Sequence, residues 1–189
     1  MKILVVYGTS EGQTAKVAAA MALRFRESGY DVASFDVRRL PVTLNLRDFD
    51  AAVIAARVHA GRYPRRIVSF VRANRASLEM MPNAFVSVSM SAAKHVPGDD
   101  LRLAKYAKDF AALSGWSPKR TYHVAGARLY TRHNALTRWI LGLVDGHRYD
   151  THRDHEWTNW TAVRADADEC ITAWAVPGAT ELLDRPTVR

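Results

Sequence analysis

The residues best suited to chemistry lie near the start of the chain, in Tyr7-Gly8-Thr9-Ser10-Glu11-Gly12-Gln13-Thr14. Thr9, Ser10 and Thr14 offer hydroxyl donors, and Gly12 lets the backbone curl around an anion. If a helix starts at the end of this segment, its free N–H groups and the positive end of its dipole add to the cradle. The loop holds no lysine or arginine, which suits a single monoester phosphate. Neither G-x-x-x-x-G-K-[ST] nor G-x-G-x-x-G is present, which disfavours P-loop nucleotide chemistry and an ordinary dinucleotide site. The plainer alternative is a polar turn with Thr14 capping a helix.

Other reactive side chains form weaker patterns. His147, His152 and His155 fall close to Asp150 and Asp154, but their spacing matches no metal signature, so no metal is expected. No segment forms a nucleophile elbow. The single cysteine, Cys170, excludes an internal disulfide framework, and its apolar neighbours predict a buried, inert thiol.

The elements that must position the loop follow from apolar patterning. Residues 2–7 (KILVVY) form a continuous apolar run, the mark of a strand buried on both faces of a parallel sheet. Further strands are predicted at 31–36, 50–56, 84–90 and 122–127. Helices are predicted at 14–28, 63–74, 99–113 and 158–173. Five strands and four helices interleave along the chain, which predicts a doubly wound α/β sheet in one domain over 1–189. One irregular insertion, about 128–157, follows the fifth strand.

The chain has 189 residues with a formal net charge of +8 and a pI near 9.9. Such a chain is drawn to anions. Zinc-finger spacing, RNP-like aromatics and a polylysine arm are all missing, so nucleic acid is not expected as a partner. No apolar run approaches the roughly 20 residues that a membrane span needs. The first predicted strand begins at Lys2, leaving no room for a secretion leader. These features point to the cytoplasm.

The order Gly-Thr-Ser-Glu-Gly-Gln-Thr at 8–14 resembles the FMN phosphate loop of flavodoxins, read as [ST]-x-x-G-x-T. Other segments are similar, in the same order, to one branch, the flavodoxin-like, quinone-dependent protoporphyrinogen dehydrogenases of bacterial haem synthesis. They are Glu11–Thr14, Met81-Pro82-Asn83-Ala84-Phe85 with Ser87-Val88, Ala125-Gly126-Ala127 with Tyr130, Asp150-Thr151, Thr158-Asn159-Trp160 and Asp184-Arg185-Pro186-Thr187. Two positions depart from the branch pattern. Ala60 stands where an aromatic residue precedes the glycine of the second loop, and Arg62 where histidine is common after it.

The resemblance implies a flavodoxin-like sheet of strand order 2-1-3-4-5. It implies an FMN enzyme that oxidises protoporphyrinogen IX to protoporphyrin IX and passes electrons to a membrane quinone, menaquinone or ubiquinone. Thr9, Ser10, Glu11, Gly12, Gln13 and Thr14 would then hold the phosphate. The loops after strands three and four would grip the flavin ring through Arg57, Val58, His59 and Gly61, and through Ser87, Ser89, Ser91, Ala92 and Ala93. Tyr63 is a further candidate for the ring face, and His59 and His95 for proton transfer. No catalytic residue can be assigned beyond these.

Within the insertion, Leu136, Trp139, Ile140, Leu143 and Val144 make an apolar stripe of helical period, flanked by cationic residues. A helix over 134–148 could lie on an anionic membrane surface at the inner face of the cell membrane, cover the domain's own core, or join copies in a homo-oligomer. The two propionates of the substrate make Arg57, Arg62, Arg65, Arg66, Arg128 and Arg132 candidate clamps, because a guanidinium matches a carboxylate. A flavodoxin-type electron carrier is a second reading, although such carriers are usually acidic. An NAD(P)H:quinone reductase is a third, with no visible nicotinamide pocket.

Overall fold

The computed structural model describes residues 1–93, 97–128 and 155–175. Five strands form one parallel sheet: β1 (Lys2–Gly8), β2 (Asp31–Asp36), β3 (Ala51–Arg57), β4 (Asn83–Ser89) and β5 (Thr121–Ala125), in the order β2-β1-β3-β4-β5. The expected order 2-1-3-4-5 is therefore the observed one.

Helices cover both faces. Helix α1 (Gln13–Glu27) and the last described helix, α5 (Trp160–Ala175), pack on one side. On the other lie α2 (Arg65–Ala73), α3 (Arg75–Met80) and α4 (Asp99–Ser114). The continuous apolar runs are explained by the alternation of side chains. Ile3 and Val5 enter the α1–α5 core, while Leu4 and Val6 enter the opposite one. In β3, Val53 and Ile54 divide the same way.

The α2–α4 side is organised by aromatic rings. Phe85 and Phe110 stack at 4.0 Å between centroids, Tyr63 meets Phe110 edge-on at 4.8 Å, and Trp116 lies edge-on to both phenylalanines.

Three elements differ from expectation for local reasons. The helix predicted from residue 63 starts at Arg65, because Pro64 biases Tyr63 away from helical backbone. It ends at Asn74, whose side-chain amide turns back to the Phe70 carbonyl, and α3 follows as a separate short helix. The fifth strand stops at Ala125; Gly126 donates its N–H to Ser89, and the chain then forms β6 (Ala127–Arg128). That short strand pairs antiparallel with β7 (His155–Glu156), so the insertion leaves and rejoins the domain at one place.

Truncating Phe110 should test the aromatic core. Phe110→Ala is expected to cost about 3–5 kcal/mol, measured as a lower urea midpoint with the slope unchanged.

Candidate functional site

In a sheet of this order the strand order reverses between β1 and β3, and a crevice opens beyond the carboxyl ends of those strands. The predicted loop lies there. Gly12 adopts φ 96°, a left-handed conformation natural to glycine. Its N–H donates to Thr9 Oγ1 at 2.9 Å, which curls the loop. The first bond of α1 runs from Lys16 N to the Gly12 carbonyl, at 3.1 Å. The N–H groups of Gln13, Thr14 and Ala15 thus have no acceptor within the helix. No side chain caps this end, and its first turn holds no acidic residue. An anion would satisfy the free donors and the helix dipole together.

Two buried polar atoms at the same edge have no partner, Gln13 Oε1 and Ser89 Oγ. The first can only accept and the second can also donate, so they suit a ligand with hydroxyl and ring polar atoms as well as a phosphate. The residues present therefore fit FMN.

Gln13 has a second task. Its Nε2 donates to Thr158 Oγ1 at 2.7 Å and to Glu156 Oε1 at 3.2 Å, and the Thr158 hydroxyl donates to the Ala125 carbonyl. The start of α1 is thereby tied to the end of β5 and to the far end of the insertion.

The loop after β3 is a tight two-residue turn. His59 and Arg62 exchange backbone hydrogen bonds of 3.0 and 2.9 Å around Ala60 and Gly61, at φ 48° and 73°. Positive φ at both centres is the mirror-image turn that normally selects glycine or asparagine. His59, Gly61 and Arg62 are exposed at its tip, and Val58 is half-buried with its N–H on the Val88 carbonyl. Arg57 does not stand free as a substrate clamp. Its guanidinium donates to Glu11 at 3.0 Å and braces the β1 loop against the end of β3.

Two residues lie away from any ligand surface. Ser87 is completely buried within β4, where its hydroxyl shares a 3.0 Å hydrogen bond with Tyr63. It is a core residue and is withdrawn as a cofactor ligand. Tyr63 belongs to the aromatic core rather than to a flavin face, and burial pushes its phenol up to about 12. Ser89, Ser91, Ala92 and Ala93 do reach the carboxyl edge, the last three in a single turn of 3-10 helix.

A cavity of about 340 Å³ adjoins that turn. Its walls are Ala92 and Ala93, strand β5 at His123, Val124 and Ala125, and the α5 side at Trp157, Asn159, Ala162, Val163 and Asp166. His123 Nδ1 is buried without a partner, and burial lowers the basicity of the ring. Burial, with Glu169 nearby, pushes the Asp166 carboxyl up to about 6. His123 and Asp166 were missed by the sequence reading, because one sits mid-strand and the other mid-helix without a recognisable motif.

Cys170 is buried with Sγ 3.6 Å from the Tyr122 hydroxyl, and burial pushes its thiol up to about 12, as an inert thiol requires. Arg132, His95, the 134–148 stripe and the His147, His152, Asp150 and Asp154 group lie outside the described residues. Of Arg128 only the backbone, in β6, is described.

A family model described as a flavodoxin domain matches residues 4–154. The chain belongs to the flavodoxin domain family. It is 29% identical, over the full length of both chains, to the protoporphyrinogen IX dehydrogenase [quinone] of Escherichia coli strain K12. It is 26% identical to the protein of that name from Leishmania major, over 89% of this chain and 74% of that one. Among solved structures it resembles a short-chain flavodoxin associated with a non-canonical PDU bacterial microcompartment (TM-score 0.56, 11% identity, 92% of this chain and 98% of the other). It also resembles oxidised flavodoxin 1 from Bacillus cereus (TM-score 0.53, 12% identity, 91% and 98%). The flavodoxin domain and the dehydrogenase relatives bear out the expected class, an FMN-dependent oxidoreductase.

Two measurements test this geometry. A Cβ at Gly61 would meet nothing within 4 Å, so Gly61→Ala should cost about 1–2 kcal/mol through backbone strain alone, read by thermal unfolding. Asp166 binds its proton more tightly folded than unfolded, so its contribution is present below about pH 4 and fades as pH rises through about 6. Asp166→Asn should therefore gain of order 2 kcal/mol on wild type between pH 4 and 7. Parallel urea curves of the two proteins across that range check it.

Proposed function

We propose that this flavodoxin-domain protein uses FMN to oxidise protoporphyrinogen IX to protoporphyrin IX in haem synthesis, with a membrane quinone, menaquinone or ubiquinone, as electron acceptor. The observation that carries the reading is a concentration of cations beside the cradle. Arg62, Arg65 and Arg66 are exposed together at the start of α2, whose first turn has no acidic residue. Cations at the positive end of a helix dipole are unfavourable on their own. An anionic partner removes that penalty, and the two propionates of the porphyrinogen provide one. The names and full-length match of the relatives support the same substrate.

In this reading the backbone N–H groups of Gln13, Thr14 and Ala15, with the hydroxyls of Thr9, Ser10 and Thr14, hold the phosphate. Arg57 and Glu11 keep the two loops in register. Val58, His59 and Gly61, together with Ser91, Ala92 and Ala93, would hold the ring. When bound, FMN supplies two-electron transfer, and the protein's share is to bind, orient and exclude competing reactions. Arg62 orients a propionate as a charge-assisted hydrogen-bond donor.

No described helix is long and apolar enough to cross a membrane. We assign contact with the inner face of the cell membrane to segment 134–148, an assignment that rests on its apolar and cationic sequence pattern.

The test is an anaerobic mix of the FMN-loaded protein with protoporphyrinogen. Bleaching of the flavin, followed by fluorescent porphyrin when quinone is added, is the expected result. A flavin that stays oxidised, but is reduced readily by a flavodoxin reductase, would overturn the reading in favour of an electron carrier. Arg62→Ala should raise KM roughly tenfold, the loss of one charge-assisted hydrogen bond, with kcat and FMN affinity near wild type. Arg57→Ala should instead weaken FMN binding, measured by flavin fluorescence on titration.

A further inference from the structure

The cavity between β5 and α5 is not absorbed by the phosphate cradle or by the arginines, yet it borders the turn at Ala92 and Ala93. At about 340 Å³ it sits at the low end of small-molecule sites. That space suits a molecule of one or two rings and is too small for a four-pyrrole macrocycle. Its lining combines apolar surface with separated polar groups. Trp157 and the small side chains give flat apolar contact. A buried imidazole nitrogen on the β5 side has no partner, and a carboxyl and an amide, Asp166 and Asn159, stand on the α5 side. Asn159 uses its Oδ1 to accept the Ala162 N–H at 3.0 Å, so its Nδ2 remains a donor.

A flat ring with an oxygen at each end, needing donors on opposite walls, is the chemistry of a quinone. We propose that this cavity is the acceptor subsite, where a quinone head group lies between His123 and Asp166 with one carbonyl oxygen toward each. The inference rests on the reading above for its electron source, a reduced flavin. There the quinone would take two electrons from that flavin, which would return to its oxidised form and release its proton to solvent, and two protons, so that both C=O bonds become C–OH. The protonated fraction of Asp166, which burial enlarges, delivers a proton to one oxygen, while solvent supplies the other. The neutral His123 ring only donates a hydrogen bond. Asp166 then regains its proton from solvent.

The test uses the FMN-loaded full chain with menadione as probe. Three variants are compared with wild type: His123→Phe, which keeps a ring without N–H; Asp166→Asn, which keeps shape without the acid; and Ala162→Trp, which fills the cavity from an exposed helix position. Calorimetric titration of the oxidised protein reads menadione binding. Rapid mixing of the photoreduced protein with menadione reads flavin reoxidation. His123→Phe and Ala162→Trp are expected to weaken binding about tenfold and slow reoxidation equally, the loss of one hydrogen bond or of the space. Asp166→Asn is expected to slow reoxidation more than it weakens binding. FMN retention and flavin bleaching by protoporphyrinogen should stay at wild-type levels in all three. Wild-type menadione binding and reoxidation in Ala162→Trp and His123→Phe, with helical circular dichroism intact, would overturn the proposal. If instead the variants lose menadione while wild type is not bleached by protoporphyrinogen, the acceptor subsite stands and the substrate assignment falls.

Discussion

Everything at the site depends on one set of donors that has no acceptor among the described residues. The left-handed turn at Gly12, closed by its N–H on Thr9, brings the chain into α1 with no side chain over the first turn. Three backbone N–H groups and a helix dipole then face the crevice at the reversal of strand order. Most helices satisfy this end with their own Ser, Thr, Asp or Asn. Here no side chain takes that place, and the donors are left to the crevice. The fold supplies the rest by making the sheet rigid and bringing the loops after β3 and β4 to the same edge.

Electrostatics divides labour among the arginines. Arg57 is consumed by Glu11 and acts as a brace between two loops. Arg24 and Arg164 are occupied by acids on α1 and α5. Arg62, Arg65 and Arg66 instead gather at the wrong end of α2 for its dipole. A protein of net charge +8 has cations to spare, and their position decides which of them can serve a carboxylate. The chain Gln13–Thr158–Ala125 couples the cradle to the re-entry point of the insertion, so the ligand-binding end of α1 and the β5 edge are held as one body.

The strands and the glycine-bearing turn at 8–14 were legible because each is written locally, and the strand order followed from the family resemblance. A doubly buried strand needs an unbroken apolar run, and β1 and β3 have one. A phosphate turn needs glycine and hydroxyls at fixed offsets, and residues 8–14 have them. Small errors of extent had local causes too: Pro64 delays α2 and Asn74 ends it. The pairing of β6 with β7 was not legible, since strands of two residues carry no periodic signal.

The sequence by itself determined the fold class, the family resemblance and the glycine turn that leads into α1, because backbone propensity and side-chain alternation act over a few residues. Only tertiary structure decided which polar residues were available to a ligand. Ser87 and Ser89 are two positions apart on one face of one strand, yet one hydroxyl is taken by Tyr63 and the other has no partner. His123 and Asp166, 43 positions apart in sequence, line one cavity. Both outcomes are set by what packs across the strand from elsewhere in the chain, and no local pattern encodes that.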